Sequence, residues 1–281
     1  MLRKKNIVLN GIKANGNEIL QDGDKVKLFL AEETIEKFSK EKPISATPSP
    51  KINIAYEDEN IILAIKPKGQ LSHPDSGEKT SLIYDILAYL QAKGEIDQKL
   101  FTPALANRLD RNTTGLVLCG KNLPALQALN YAISRKLLHK YYVAIVCGQI
   151  KKSGTLIGYH TKDSTKNTVK ITQKEPGEEV ITKYSPIETY KDFTYVKLQL
   201  VTGKSHQLRA HMNFMGHPIL GDTKYGDKNH RLAKKFGLKS QLLHACNIYF
   251  DDNITELKYL QGKTFTAPLP KEFSTILKSM R

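Results

Sequence analysis

The spacing of apolar and polar residues changes along the chain, and each spacing predicts a type of secondary structure. Apolar residues recur at i, i+3, i+4 and i+7 from Ile83, which predicts an amphipathic helix over residues 82–90. Strict alternation over residues 193–202 predicts a strand that pairs with 178–190 across a turn at 191–192. Further strands are predicted over residues 52–56, 61–65, 116–119, 141–147 and 242–250.

Start and stop signals predict three more helices. Asn122 is the expected N-cap of one helix, with Pro124 in its first turn. Ser205 is the expected cap of a second helix over about 205–215, and a closing helix is expected over 271–278. Because helices and strands mix without strict alternation, we expect an α+β fold with a mixed, largely antiparallel central sheet and flanking helices.

Composition divides the chain into three parts. Residues 1–38 hold short strand-like runs and turn signals, which predict a small β-rich appendage at the N-terminus. Residues 39–51 contain three prolines among serine, threonine and lysine, which predicts a semi-extended linker. Residues 52–281 hold the remaining elements and form the predicted main domain.

The overall composition limits the class of protein. Hydrophobic residues make up 40% of the 281 positions, which is enough for a core. The sequence lacks the run of about eighteen apolar residues that a membrane span needs, and residues 1–6 lack the apolar segment of a secretory signal. Cys119, Cys147 and Cys246 have no paired spacing. We therefore expect a cytoplasmic protein with no disulfide framework and no membrane partner.

The net charge of +15 favours a polyanionic partner, because lysine and arginine bind phosphates and release counterions. Residues 1–50 hold nine basic and seven acidic residues, a net of +2, so the remaining +13 belongs to residues 51–281. Charge alone is also compatible with a basic protein that is merely soluble.

Asp110 is the most informative single residue. It lies between Arg108 and Arg111, before a polar turn and an apolar strand that starts at Leu116. A carboxylate on a loop at the mouth of a strand is well placed for chemistry, since it has rigid backbone behind it and solvent in front. Neighbouring cations favour its charged form. A solvated charged turn has the same local features, so the wider pattern has to distinguish the two interpretations.

Four motifs in order resemble those of the RluA-type pseudouridine synthases. The central motif of that family is Arg-Leu-Asp-x-x-Thr-Ser/Thr-Gly, and its aspartate falls on Asp110. Two positions depart from the family pattern: Asn107 stands where histidine is usual, and Lys204 stands where arginine is usual. The matching segments are residues 66–74, 106–121, 140–148 and 202–226.

The N-terminal pattern has a resemblance of its own. Residues 1–38 are similar to the C-terminal half of the αL RNA-binding module, without the two helices that normally precede that half. A plain surface hairpin has the same pattern, so both interpretations stay open.

The family resemblance implies a pseudouridine synthase catalytic domain over 52–281 and an RNA substrate. It implies that Asp110 is the catalytic residue, which attacks the ribose carbon or the uracil ring, or takes a ribose proton. It implies that Tyr142 stacks on the target base and is a candidate base for carbon five, although a tyrosine hydroxyl with a reference pKa of about 10 is a poor base at neutral pH. Arg209 would pair bidentately with Asp110, and Leu208 would pack under the uracil.

The implied reaction needs no cofactor. It breaks the bond from nitrogen one of uracil to the ribose and joins carbon five to the same ribose carbon, without a redox change. The target base should leave the stack and enter the pocket, because its reactive atoms are shielded in a helix. His206, His211 and His217 do not share a helix face, so no metal site is expected.

Several basic residues are candidates for RNA contacts. His206 would contact phosphate or cap backbone, and the segment 231–239 either tracks RNA or forms a solvated helix face. The candidate phosphate contacts around the pocket are Lys66, Arg108, Arg111 and Lys204.

Three functions are compatible with these motifs. The first is a synthase that modifies a uridine in large-subunit ribosomal RNA, and the second differs only in taking a tRNA uridine. The third is a non-catalytic RNA-binding factor of ribosome assembly that kept the fold. The presence of Asp110, Tyr142 and Arg209 favours an enzyme, which we expect to be a monomer bound to RNA.

Overall fold

The chain divides into two compact units, Met1–Ile44 and Ser45–Arg281. The linker predicted over 39–51 lies outside the described residues. In the part of the chain that is described, no helix is both long and apolar enough to cross a membrane. The computed structural model describes residues 7–33, 52–75, 80–96, 101–163, 168–227 and 230–279.

The first unit contains a small antiparallel sheet. Its strands are β1 (Ile7–Leu9), β2 (Ile12–Lys13) and β3 (Val26–Leu28), in the order β2–β1–β3. Asn10 and Gly11 both have positive φ, which suits the tight turn between β1 and β2. The β-rich appendage is therefore confirmed, and its relation to the αL module stays a prediction.

The second unit contains the main sheet and its helices. The strands predicted over 52–56 and 61–65 are present as the antiparallel pair β4 and β5, and the paired strands around 191–192 and the closing helix are also present. Its strands are β4 (Ile54–Glu57), β5 (Ile61–Lys66), β6 (Ala104–Leu105), β7 (Thr114–Gly120), β8 (Leu138–Cys147), β9 (Gly154–Asp163), β10 (Thr168–Thr172), β11 (Glu178–Thr189), β12 (Phe193–Leu200), β13 (Leu243–Phe250) and β14 (Thr264–Thr266). Its helices are α1 (Leu82–Ala92), α2 (Leu123–Ser134), α3 (Gln207–Phe214), α4 (Arg231–Lys235) and α5 (Lys271–Lys278).

The main sheet follows the order β10–β9–β11–β12–β8–β13–β7–β5–β4, with β14 beside β13 and β6 beside β7. Among the described strands, only the β7–β13 pair is parallel. A largely antiparallel sheet with flanking helices confirms the predicted α+β class. Strands β7, β8 and β13 are neighbours at the centre, so the loop before β7 lies close to side chains of β8.

The sheet is covered by apolar helix faces that the sequence specifies. Asn122 caps α2, since its Oδ1 accepts a hydrogen bond of 2.9 Å from the Ala125 N–H. Helix α2 buries Leu129 and three alanines against Leu116 and Leu118 of β7. Around Phe273, α5 covers part of β8 and β13. These contacts fix the central strands that carry the site.

The structure differs from the predictions at the start of α3 and in several strands, among them β9 and β10. Helix α3 begins at Gln207, and its N-cap is His206 in the left-handed region with φ 53°, so the expected Ser205 cap is wrong. The Ser205 carbonyl instead bonds to Nε2 of His160 at 3.0 Å. Strands β9 and β10 were not predicted, because β9 contains two glycines and β10 has only five residues. Both depend on pairing: β9 pairs with β11, and β10 pairs with β9.

Candidate active site

A pocket opens where the loop before β7, the middle of β8 and the start of α3 meet. Its walls include the loop carboxylate, a strand tyrosine and the first residues of α3. The residues that line it are Arg108, Leu109, Asp110, Thr113, Tyr142, Leu200, Lys204, His206, Gln207, Leu208, Arg209 and Leu243.

The loop that carries Asp110 is clamped by the segment that follows β5. The buried hydroxyl of Ser72 donates to the Leu109 carbonyl and accepts from the Leu109 N–H, both at 3.0 Å. The Gly69 N–H donates to the Arg111 carbonyl at 3.0 Å. The loop closes on itself through the Thr113 N–H, which donates to the Asp110 carbonyl at 3.0 Å. These bonds hold the carboxylate, whose side chain is 26% exposed, at the pocket wall.

Arg209 joins Asp110 to a second carboxylate. Its Nη1 donates to Asp110 Oδ2 at 2.9 Å. Its Nε and Nη2 donate to the two oxygens of Asp222 at 2.7 and 2.8 Å. The pairing with Asp110 is therefore a single hydrogen bond, and the expected bidentate pair with Asp110 is wrong, because the guanidinium fork is taken by Asp222.

Asp222 is buried and fully engaged. Besides the two bonds from Arg209, its Oδ1 accepts the N–H groups of Lys224 and Tyr225 at 2.9 and 3.1 Å. Burial alone would raise the pKa of Asp222, but the bonds and charge of Arg209 outweigh it and hold that pKa below its usual value. Burial likewise opposes the charge of Arg209, and Asp222 and then Asp110 raise the pKa of Arg209 above its usual value.

Tyr142 projects from β8 into the same pocket and is 5% exposed. Burial and then the charge of Asp110 raise the pKa of its hydroxyl well above the usual range. The environment therefore works against an ionised hydroxyl at neutral pH. Tyr142 presents its aromatic ring to the pocket from a packed strand, and such a ring is suited to stacking on a planar ligand.

His206 stands beside the carboxylate as a neutral group. Burial and then the charges of Arg209 and Lys224 keep the pKa of His206 below its usual value, despite the opposing charge of Asp110. The Tyr225 hydroxyl accepts the Val169 N–H at 2.9 Å, which leaves its own hydrogen for Nδ1 of His206 at 2.8 Å. The imidazole proton is then on Nε2, 3.9 Å from Asp110 Oδ1.

The comparison with family models assigns the chain to a family. Residues 60–214 match the model described as RNA pseudouridylate synthase, a span that includes Asp110, Tyr142 and Arg209. The chain belongs to the RNA pseudouridylate synthase family. It is therefore an RNA-modifying isomerase. The matched span ends before Asp222, the residue that holds Arg209.

Proteins with similar sequences match nearly the whole chain. An uncharacterized RNA pseudouridine synthase of Bacillus subtilis (strain 168), YlyB, is 30% identical over 98% of this chain and 86% of its own length. The ribosomal large subunit pseudouridine synthase D of Buchnera aphidicola is 29% identical over 98% of this chain and 87% of its own length. The ribosomal large subunit pseudouridine synthase C of Vibrio vulnificus is 29% identical over 100% of this chain and 86% of its own length.

Solved structures share the fold of the synthase. Human RNA pseudouridylate synthase domain containing 4 superposes with a TM-score of 0.65 at 22% identity, over 82% of this chain and 93% of that one. Human RNA pseudouridylate synthase domain containing 1 superposes with a TM-score of 0.58 at 20% identity, over 82% of this chain and 94% of that one.

The predicted binding residues of the synthase separate into two groups. Arg108, Lys204, His206 and Leu208 line the pocket with the three predicted catalytic residues. Lys204 also pairs with Glu178 at 2.7 Å on an exposed surface, where such a pair contributes little to stability. Arg111 does not line the pocket, and its carbonyl serves the loop clamp.

Lys66 lies elsewhere, and its position argues against the predicted phosphate contact. It is fully buried, and its Nζ donates to the carbonyls of Pro67, Gln70 and Arg111 at 3.0, 2.7 and 2.8 Å. An ammonium has three hydrogens, so none is left for a phosphate. Burial lowers the pKa of Lys66 to about 8, against the opposing charge of Asp110. Lys66 therefore supports the loop that presents Asp110.

Other residues of the synthase support the site but were not singled out from sequence. Gln207 accepts from the Thr202 hydroxyl at 2.9 Å and donates to the Thr182 hydroxyl at 3.1 Å, which ties the start of α3 to β11. Asn107, which departs from the family pattern, accepts the Leu118 N–H at 2.8 Å and so satisfies a backbone donor of β7. Asp222 and Gln207 both lie inside the matching motif segment 202–226, and this position is the sequence feature that could have pointed to them.

Metal binding finds no support in the described residues. No cluster of three or more histidine, cysteine, aspartate or glutamate side chains there could hold an ion. His211 is buried against Thr182, and His217 bonds to the Cys147 carbonyl at 2.8 Å.

Proposed function

We propose that this synthase converts a uridine of large-subunit ribosomal RNA to pseudouridine, with Asp110 as the catalytic carboxylate. The observation that carries the proposal is the 2.9 Å bond from Arg209 to Asp110 at a pocket that also holds the ring of Tyr142. The carboxylate, its orienting cation and a stacking surface thus meet in one cavity.

The roles follow from the positions of the three groups. The target base leaves its stack and enters the pocket, where its face packs on Tyr142. Asp110 acts at the ribose as the glycosidic bond breaks, and Arg209 keeps the carboxylate oriented. In the net reaction carbon five loses a proton and nitrogen one gains one. The raised pKa of Tyr142 speaks against a tyrosinate as the group that takes the proton.

The choice of ribosomal RNA has two supports. Relatives that match most of this chain bear the name of ribosomal large subunit pseudouridine synthases. The net charge of +15 suits a long polyanion. A tRNA uridine remains an outcome that the experiment detects.

The test maps pseudouridine across total RNA. RNA from cells that lack the protein is incubated with wild type or with Asp110→Asn and then treated with carbodiimide, which stops primer extension at pseudouridine. We expect new stops in large-subunit RNA with wild type and none with the variant, although the variant still binds RNA. Stops confined to tRNA would overturn the substrate, and stops made by Asp110→Asn would overturn the role of the carboxylate.

A further inference from the structure

A further cation, in addition to those that line the pocket, lies at its rim. Lys140 shares a face of β8 with Tyr142, because side chains two positions apart point to the same side of a strand. Its cross-strand neighbour on β12 is Leu200, which lines the pocket. Its Nζ is 3.5 Å from the place that a Cβ would occupy at Gly203, on the loop that leads into α3. The ammonium is therefore next to the pocket wall.

This ammonium has no partner among the residues that the structure describes. Lys66 is bonded to three carbonyls and Lys204 is paired with Glu178, but Nζ of Lys140 makes no hydrogen bond or ion pair there. Lys140 is half-buried, and burial lowers its pKa below the usual value. Removing a cation from water without a partner is unfavourable, so an apolar side chain would suit this position better in the free protein.

A bound anion would account for the charge at this position. The carboxylate of the pocket, Asp110, is already paired with Arg209. When a nucleotide flips, its base enters the pocket while its phosphates stay on the strand outside. A lysine on the pocket face, at the rim, lies where those phosphates pass, and its ammonium is a point charge suited to them.

We propose that Lys140 binds a phosphodiester group of the RNA strand beside the flipped uridine. This assignment rests on the proposed function, since it requires that RNA enters at the Asp110 pocket. Lys140 is a binding and positioning residue, and it takes no part in breaking or forming bonds.

The test compares two substitutions that remove the same charge. Lys140→Met keeps the apolar stem and loses the ammonium. Lys197→Met does the same on the opposite face of the sheet, where Lys197 is exposed and lies over the Tyr141 ring. Affinity for an RNA oligonucleotide that contains the mapped uridine is measured by fluorescence anisotropy over a series of salt concentrations, together with thermal stability.

We expect Lys140→Met to raise Kd about tenfold, which corresponds to one charge-assisted hydrogen bond. The slope of log K against log salt should become shallower by about 1. Lys197→Met should leave both values as in wild type. Thermal stability of Lys140→Met should match or exceed that of wild type, because an unpaired half-buried charge is removed.

A neutral phosphate identifies the contact. One methylphosphonate is placed in turn on each side of the target uridine. At the contacted position it should weaken binding to wild type but not to Lys140→Met. The proposal fails if Lys140→Met keeps the affinity and salt slope of wild type. It also fails if, on both sides of the uridine, the loss of affinity from the methylphosphonate adds to the loss from Lys140→Met. If the Lys140 predictions fail but wild-type protein still modifies the mapped uridine, the proposed function stands and only the role of Lys140 is refuted. Absence of any product would overturn the proposed function itself.

Discussion

Asp222 holds the Arg209 guanidinium with both carboxylate oxygens, at 2.7 and 2.8 Å, and so directs the remaining nitrogen, Nη1, toward Asp110. The pair is buried, with Arg209 7% and Asp222 2% exposed. Because Asp222 binds Nε and Nη2 of the buried Arg209, the guanidinium has little freedom to move. The position of the Asp110 carboxylate therefore depends on Asp222, which is not among the residues that line the pocket.

Asp222→Asn should therefore reduce both the rate and the stability. The variant leaves a buried guanidinium without its counter-charge, which costs about 3–5 kcal/mol in the free energy of unfolding. Misplacement of Asp110 by about 1 Å should lower the single-turnover rate roughly a hundredfold. The measurements are urea unfolding and product formation at saturating RNA. Asp192→Asn, which breaks the exposed pair with Arg231 at 3.0 Å, should change the free energy of unfolding by less than about 1 kcal/mol. A wild-type rate in folded Asp222→Asn would contradict the positioning role.

Lys66→Met separates support of the catalytic loop from phosphate binding. The substitution removes the donor to three carbonyls. The Arg111 carbonyl keeps its bond from the Gly69 N–H, whereas the carbonyls of Pro67 and Gln70 lose this donor. A carbonyl left unpaired away from water costs about 1–3 kcal/mol. We expect a lower turnover rate, with a salt dependence of RNA binding equal to that of wild type. The measurements are single-turnover rate and anisotropy over a salt series. A salt slope shallower by about 1 would instead show that Lys66 neutralises a phosphate.

Tyr142→Phe and Tyr142→Leu test the ring of Tyr142 as the surface on which the base stacks. Phenylalanine keeps the aromatic face, whereas leucine removes it from a buried position on β8. Base stacking on an aromatic ring contributes about 1–3 kcal/mol, so leucine should weaken binding of the target RNA and phenylalanine should not. The measurement is Kd in an Asp110→Asn background, where no product forms. Equal affinity of the two variants would rule out stacking as the contribution of Tyr142.

The elements around the site could be predicted because local signals specify them. The closing helix was predicted at the bounds it has, Lys271–Lys278, and Asn122 was predicted as a cap. Asp110 and Tyr142 were brought together by motif resemblance alone. No spacing shows that the loop before β7 and the middle of β8 are neighbours, since β13 lies between those strands in the sheet.

The supporting contacts could not be predicted, because they depend on tertiary structure. A lysine in a sequence is exposed by default, and only the fold shows that Lys66 is enclosed by three carbonyls. The Arg209 guanidinium could form its bidentate pair with either of two carboxylates, and the burial of Asp222 determines that Asp222 is the partner. The His206 conformation, with φ 53°, is likewise imposed by its surroundings.

The buried environment of His211 allows a prediction of how the free energy of unfolding changes with pH. It is fully buried on α3, its Nδ1 bonds to the Thr182 hydroxyl at 2.8 Å, and its Nε2 has no partner within the described residues. Burial and then the charge of His160 lower the pKa of His211 to about 4. In the unfolded chain the pKa of histidine is about 6.5, so the unfolded state takes up the proton first as the pH falls.

The contribution of His211 to stability is therefore complete above about pH 6.5 and is lost as the pH falls toward 4, by about 3 kcal/mol in total. Urea unfolding at intervals between pH 7.5 and about 4.5 measures this loss. His211→Gln keeps a polar group but cannot be protonated in this range, so its stability should fall less steeply than that of wild type. Carboxylates titrate equally in both proteins, which makes the difference between the two curves specific to His211. Parallel curves would show that another group controls the acid transition.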